Sequence, residues 1–446
     1  MAEPEITEET ISKSMEVTDK MEFIYKYKTE GLEKTLKYIP NLCTGCGICV
    51  DICPVEAIEL GPITEIATGE IDAPYILIDQ NKCEYCGICT LCPLNAIEFS
   101  FDELNIKDSD DYPKFARSHF LDEDKCVKCF LCEETCPREA IEAQITVKKK
   151  DELVIYPEGV SFKDLKIEGD IKIDYEKCTY CKLCDKLCDA LEIVPGNQSP
   201  LNIYAGKRIE IYLSECDYCG LCEKICPVDA IKVNCNTQVE REIKDISVEG
   251  KIIVNEEKCI YCNWCGNVCF VDAIKVEKEF EGEITLQRLE FCDPLGCQAC
   301  IKICPTKSWY IPQEKSEKIA VDEKFCIYCG SCELACPENC IIVDRNVVKY
   351  KEFNQNTPWA NSWLKALKII EESKKVEMEL KSIPIEQKEE VKKTTKKIEK
   401  IPQVAPEIWE KFQAKLNNLN EILGKAPVRY YMEGKKEKKP KILTQN

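Results

Sequence analysis

The sequence predicts an α+β chain of about four small modules in tandem, followed by a helical extension that lacks cysteine. Three observations carry this. The 446 residues include 34 cysteines, and 32 of them fall into eight short quartets. The first cysteines of successive quartets lie 33 to 52 residues apart, the length of one supersecondary unit in a repeat protein. Each unit reads strand, cysteine loop, one-turn helix, strand. Apolar runs between the quartets are short, and units below about 80 residues usually need a metal or disulfide staple.

Residues 1–39 hold no cysteine, and a weak helical spacing over 21–36 suggests an N-terminal arm. The first quartet is Cys43, Cys46, Cys49 and Cys53, followed by Pro54. Gly45 and Gly47 let its backbone turn tightly. A polar loop over 61–73 precedes the strand-like run at 75–78. The second quartet, Cys83, Cys86, Cys89 and Cys92, is one residue short in its last gap, which puts the reach of Cys92 in question. An acidic insertion over 102–111 reads as a surface loop. Cys126, Cys129, Cys132 and Cys136 restore the regular spacing. Cys178, Cys181, Cys184 and Cys188 end on Asp189 instead of proline, among Lys177, Lys182 and Lys186.

The fifth quartet, Cys216, Cys219, Cys222 and Cys226 with Pro227, is the cleanest copy. The sixth, Cys259, Cys262, Cys265 and Cys269, ends on Phe270. In the seventh, Cys292, Cys297, Cys300 and Cys304, the first gap widens to four residues. Cys326, Cys329, Cys332 and Cys336 with Pro337 complete the set. Tyr85, Tyr180, Tyr218, Tyr261 and Tyr328 each precede a second cysteine and read as shields against water. Cys235 and Cys340 are left over and read as small apolar residues, although Cys340, close behind Cys336, has the position of a substitute ligand.

The spacing C-x2-C-x2-C-x3-C-P is that of bacterial-type [4Fe–4S] loops, in which three thiolates hold one cluster and the fourth reaches another. Zinc ribbons separate two C-x2-C pairs by roughly 15–20 residues, whereas here four sulfurs fall within about a dozen. Eight [4Fe–4S] clusters are therefore expected. A secreted disulfide scaffold is the other cysteine-rich class, but the acidic start MAEPEITEET leads into no apolar signal region. No apolar stretch approaches the 18 residues of a membrane span, and a reducing cytoplasm is the expected compartment.

Net charge is −19, and a net −2 on each of eight oxidised clusters takes this to roughly −35. Nucleic acid and anionic membranes are thus poor partners. The charge is uneven. Residues 355–446 carry 20 Lys+Arg against 13 Asp+Glu, so the tail is +7 and residues 1–354 are −26. A single histidine, His119, excludes zinc–histidine and Ser-His-Asp chemistry. GxGxxG, P-loop and haem-attachment motifs are absent, and no catalytic residue is assigned.

Pairing the units sequentially gives modules at 40–105, 116–200, 205–280 and 284–352, with a helical and flexible extension over 353–446. Spacing alone also permits an offset pairing. In the extension, Trp363, Leu367 and Ile370 keep helical spacing. A charged linker follows over 373–400, and a second apolar stripe runs through Ile408, Phe412, Leu416, Leu419 and Leu423 to Gly424. That helix either packs on the modules or lies in a partner's groove.

Over residues 40–350, with the 32 cysteines carrying the likeness, the chain resembles the polyferredoxins of methanogenic archaea, in particular those that serve formylmethanofuran dehydrogenase. The resemblance implies bacterial-type two-[4Fe–4S] ferredoxin modules. It also implies an electron-transfer subunit with no substrate chemistry of its own. Electrons from a ferredoxin or a heterodisulfide reductase complex would reach the tungsten- or molybdenum-dependent catalytic subunit, held by scaffold subunits, for CO2 reduction in methanogenesis. The alternative is a similar wire in a hydrogenase or energy-converting hydrogenase complex.

Overall fold

A computed structural model describes residues 11–314 and 318–372. Its architecture follows one rule. The strand that enters a cysteine loop pairs antiparallel with the strand that leaves the partner loop. Around the first and second quartets, Glu33–Tyr38 pairs with Ile97–Phe101, and Ile58–Leu60 with Ile76–Ile78. Around the seventh and eighth, Phe280–Leu286 pairs with Ile341–Val348, and Trp309–Tyr310 with Ala320–Val321. These two modules match the sequential pairing.

The middle of the chain does not. Ser118–Leu121 and Ile141–Val147, which flank the third quartet, pair with Ile274–Glu277 and Val248–Val254, which flank the sixth. The fourth and fifth quartets form their own module, with Gly169–Ile173 on Ile231–Cys235 and Leu191–Pro195 on Gly206–Ile211. One module is therefore inserted inside another, and the expected units at 116–200 and 205–280 are corrected. A small ladder, Val154–Ile155 on Glu242–Ile243, closes the neck of the insertion. Loop-closure entropy grows only logarithmically with length, so a loop of about 100 residues that folds on itself adds little cost to the outer pairing.

The N-terminal residues are also corrected. The arm and its weak helix are strands: Ser12–Val17, Phe23–Lys28 and Glu33–Tyr38 extend the first module into a five-stranded antiparallel sheet. Tyr25, Leu36 and Tyr38 are buried there, and the alternation in 33–38 fits a half-buried strand. The polar loop at 61–73 contains a short helix, Ile63–Thr68, whose Ile63 and Ala67 pack against Ala299 and Ile303. In the acidic insertion, Ile106 is buried.

The loops repeat in detail. In most of them a helix of four or five residues carries the third cysteine and ends before the fourth, within the loop and not behind it as the sequence suggested. A carboxylate behind the third cysteine accepts an N–H from the exit strand. Glu133 does so for Ala143 (3.1 Å), Asp185 for Ile193 (3.0 Å), Glu223 for Val233 (2.9 Å) and Glu333 for Val343 (3.0 Å). These ties set the angle between helix and strand.

Modules meet through buried polar contacts as well as apolar ones. The Thr44 and Ser331 hydroxyls share a hydrogen bond of 2.6 Å. Asn95 donates to the carbonyls of Glu256, Glu257 and Cys259. Arg117 binds the Pro93 carbonyl, Asn95 and the buried Glu279. The expected helix around Trp363 is present as Ala360–Glu372, with Trp363, Leu367 and Ile370 buried. The linker at 373–400 and the stripe at 408–424 lie outside the described residues.

Excision of 148–247, with a short turn joining the flanking strands, should leave the other three modules folded and remove only the iron held by the two inner quartets. Iron analysis and circular dichroism check this. Loss of iron from the whole chain would contradict the nested topology.

Candidate metal centres

Each constellation is assembled from two loops. Cys53, Cys83, Cys86 and Cys89 line one cavity. Cys304, Cys326, Cys329 and Cys332 line another, and Cys136, Cys259, Cys262 and Cys265 a third. A fourth takes Cys126, Cys129, Cys132 and Cys269, and Cys265 also lines it. In every case three sulfurs come from one loop and the fourth from the end of its partner. The same exchange brings Cys92 to Cys43, Cys46 and Cys49. It brings Cys226 to Cys178, Cys181 and Cys184, and Cys188 to Cys216, Cys219 and Cys222. Cys336 joins Cys292, Cys297 and Cys300.

Cys92 reaches across despite its shortened gap. The turn before it, Ile88–Thr90, is a 3-10 helix, where the first quartet has an α-helix, Ile48–Asp51. A 3-10 turn rises about 2.0 Å per residue against 1.5 Å for an α-turn, so one residue fewer spans a similar distance.

Backbone geometry is built to serve the sulfurs. The residue two places after the first cysteine has positive φ in seven loops: Gly45, Tyr85, Lys128, Tyr180, Tyr218, Tyr261 and Tyr328. This turns N–H groups inward, as from Gly45 to Cys43 Sγ (3.4 Å) and from Tyr328 to Cys326 Sγ (3.2 Å). A second left-handed residue follows three places after the last cysteine in seven loops, for example Glu56, Asp229 and Asn339. The exception is the fourth quartet, where Asp189 replaces proline. One residue further on, N–H groups of Ala57, Ala140, Ala230, Ala273, Ser308 and Cys340 point at the last sulfur of their loops, at 3.2–3.4 Å.

The tyrosines expected to shield the sites are buried in two cases, Tyr85 and Tyr261, and half-buried in the other three. What the sequence reading missed is the glycine opposite several of them. A Cβ on Gly206 would fall 2.2 Å from the Tyr180 ring, one on Gly169 2.4 Å from Tyr218, and one on Gly282 3.0 Å from Tyr328. Glycines in strands often mark such close approaches. The lysines around the fourth quartet are engaged: Lys177 pairs with Asp174, Lys182 with Glu134, and Lys186 lies over the Phe130 ring. Cys235 is exposed, and Cys340 is buried with its thiol on the Arg288 carbonyl and beside Cys336.

The donor sets fit an iron–sulfur core. Burial and neighbouring sulfurs push the Cys43 thiol up to about 11 and those of Cys132 and Cys222 up to about 12. Four such thiols ionise together only against a compensating cation. The buried hydroxyls of Tyr38 and Thr179, beside Cys43 and Cys178, lack a protein hydrogen-bond partner, and Tyr38 faces the Cys43 sulfur. Zinc sites draw sulfurs to about 2.3 Å from one ion. Among the described residues no three His, Cys, Asp or Glu converge on a single ion.

Paired hairpins and exchanged fourth cysteines are the arrangement of bacterial-type 4Fe-4S ferredoxin modules. Residues 36–59, 209–232, 252–275 and 319–342 match the 4Fe-4S binding domain, and residues 125–190 match the 4Fe-4S dicluster domain. The dicluster match spans the third and fourth loops, which the strand pairing sends to different modules; local spacing satisfies it without pairing.

The chain is similar to polyferredoxins. It is 51% identical over 55 residues (12% of this chain, 16% of the relative) to the polyferredoxin protein FwdF of Methanocaldococcus jannaschii. It is 30% identical over 120 residues (27% of this chain, 13% of the relative) to one component of the H(2):CoB-CoM heterodisulfide,ferredoxin reductase of Methanothermobacter marburgensis. These alignments span under a fifth of each relative. A chain in the formate dehydrogenase–heterodisulfide reductase–formylmethanofuran dehydrogenase complex of Methanospirillum hungatei is 27% identical, with a TM-score of 0.51, over 80% of this chain and 91% of that one.

Two outcomes test the site. Gly206→Ala should destabilise the inner module by about 1–3 kcal/mol through overpacking, read as a lowered unfolding midpoint; an unchanged midpoint would show that Tyr180 yields freely. For the iron-free chain, burial holds thiol pKa values above the unfolded value of about 8.5. Stability is then full below that pH and falls as pH rises through it. Residual β-structure should hold below about pH 8.5 and decline as pH rises from there towards about 11–12 by circular dichroism, and a rise would contradict the burial argument.

Proposed function

We propose that the 32 cysteines hold eight [4Fe–4S] clusters and that the chain is the electron-transfer subunit serving formylmethanofuran dehydrogenase. In this reading a ferredoxin or a heterodisulfide reductase complex supplies low-potential electrons, and the catalytic and scaffold subunits that reduce CO2 receive them, in the cytoplasm. The observation that carries it is the likeness to one chain of the Methanospirillum complex over 91% of that chain's length. When bound, the clusters supply one-electron carriers whose potentials respond to burial, charge and hydrogen bonds at sulfur.

The chain's own residues set the spacing and the surroundings. Cys46 lies within electrostatic reach of Cys329, and Cys129 of Cys181. Arg138 lies within reach of Cys92 and Cys43 on one side and of Cys136 and Cys262 on the other. The sites of different modules are therefore neighbours, joined by fixed contacts. No described helix is long and apolar enough to cross a membrane.

Anaerobic metal analysis and EPR of the native complex test the proposal. About 32 iron per chain, four for each of eight sites, with tungsten or molybdenum in the same particle, is the expected result. Nickel in place of those metals would move the chain to a hydrogenase, and zinc in place of iron would overturn the iron–sulfur assignment.

A further inference from the structure

The turn that leads into the first cysteine of a loop exposes several backbone carbonyls, and remote side chains cap most of these turns. Lys13 Nζ donates to the carbonyls of Gln80 (3.0 Å), Asn81 (3.2 Å) and Cys83 (2.9 Å). Lys318 caps Glu290 (3.2 Å) and Cys292 (2.7 Å), and Asn95 caps the turn before Cys259. Among the described residues, no remote side chain caps the turns before Cys126 and Cys178.

Lys278, like Asn95, crosses from one module to the next, and it brings a charge with it. It follows the strand Ile274–Glu277 of one module, and its ammonium enters the next. There it donates to the carbonyls of Lys324 (2.6 Å), Cys326 (2.7 Å) and Glu323 (3.5 Å), using all three of its protons. The same ammonium lies within electrostatic reach of Cys262 in its own module. The carboxylate next to it, Glu279, is taken by Arg117 at 3.2 Å. Beside it the boundary is filled by Trp264 and Phe325, stacked at 3.7 Å and 7°. The Trp264 indole N–H donates to the Thr306 carbonyl, two residues beyond Cys304.

We propose that Lys278 is the positioning residue for electron passage between the site of Cys136, Cys259, Cys262 and Cys265 and the site of Cys304, Cys326, Cys329 and Cys332. Its hydrogen bonds fix the Cys326 turn against the neighbouring module, with the Trp264–Phe325 pair as packing between the two sites. Its charge raises the potentials of both, because a fixed cation favours the more negative reduced state. The inference rests on the electron-transfer reading above.

The test is an anaerobic redox titration, followed by EPR and with iron counted, on the complex carrying wild-type, Lys278→Gln or Lys278→Arg chain. Lys278→Gln should keep full iron and move two midpoint potentials to more negative values. Lys278→Arg should keep them where they are. Lys13→Gln, at the far end of the first module, should move only the midpoint of the Cys83 site. Full iron with unmoved midpoints in Lys278→Gln would overturn the proposal and leave Lys278 as a structural cap. Should Lys278→Gln shed iron, Lys278→Arg decides: wild-type midpoints uphold the proposal and shifted ones overturn it. Absence of iron–sulfur signals from the wild-type chain would instead sink the electron-transfer reading itself.

Discussion

The exchange of the fourth cysteine between paired loops is the constraint on which the rest of this molecule depends. A loop whose last sulfur belongs to its partner's site cannot be completed alone, so the units fold in twos. The hairpins follow from that exchange: the entering strand of one loop lies beside the leaving strand of the other, which brings the last cysteine of each across to the other's first three. Left-handed residues at fixed offsets then aim N–H groups at the sulfurs. Small modules of this kind bury little apolar surface, and the binding energy of a core held by four thiolates becomes their folding energy.

Nesting one module inside another alters how the chain is laid out without altering this rule. The outer hairpins, formed by 118–121 with 274–277 and 141–147 with 248–254, are long in sequence separation but ordinary in geometry. Their inserted partner is tied to them at a neck and by the Phe130 N–H on the Cys181 carbonyl (3.3 Å). The other modules meet through Thr44 and Ser331, Asn95 and the turn before Cys259, and the Trp264–Phe325 stack. These contacts hold neighbouring donor sets at fixed separations, which a relay of one-electron carriers requires.

The cysteine loops were legible in the sequence because their geometry is local: spacing, proline and a one-turn helix lie within about a dozen residues. The cross-reach of the last cysteine was legible for the same reason, except at Cys92, where a 3-10 turn replaces a residue. Partner choice was not legible. Most entering strands, such as Glu33–Tyr38 and Gly206–Ile211, are short and alternate charged and apolar residues alike, so none is marked for one leaving strand, and proximity in sequence favoured third with fourth over third with sixth. The strands at 12–38 were hidden because their alternation is diluted by lysines and glutamates on the exposed face. Gly169 and Gly206 drew no reading from the sequence, and only the tyrosine rings opposite them explain their identity. Lysines such as Lys13 and Lys278 carried no signal, since their acceptors lie 45 to 70 residues away.

The most direct test of the nested architecture is anomalous diffraction at the iron edge from crystals of the native complex. Nesting predicts iron–sulfur density bounded by Cys126, Cys129, Cys132 and Cys269, and separate density bounded by Cys178, Cys181, Cys184 and Cys226. Density in which Cys188 closes the site of Cys126, Cys129 and Cys132 would restore sequential pairing and contradict the nested architecture.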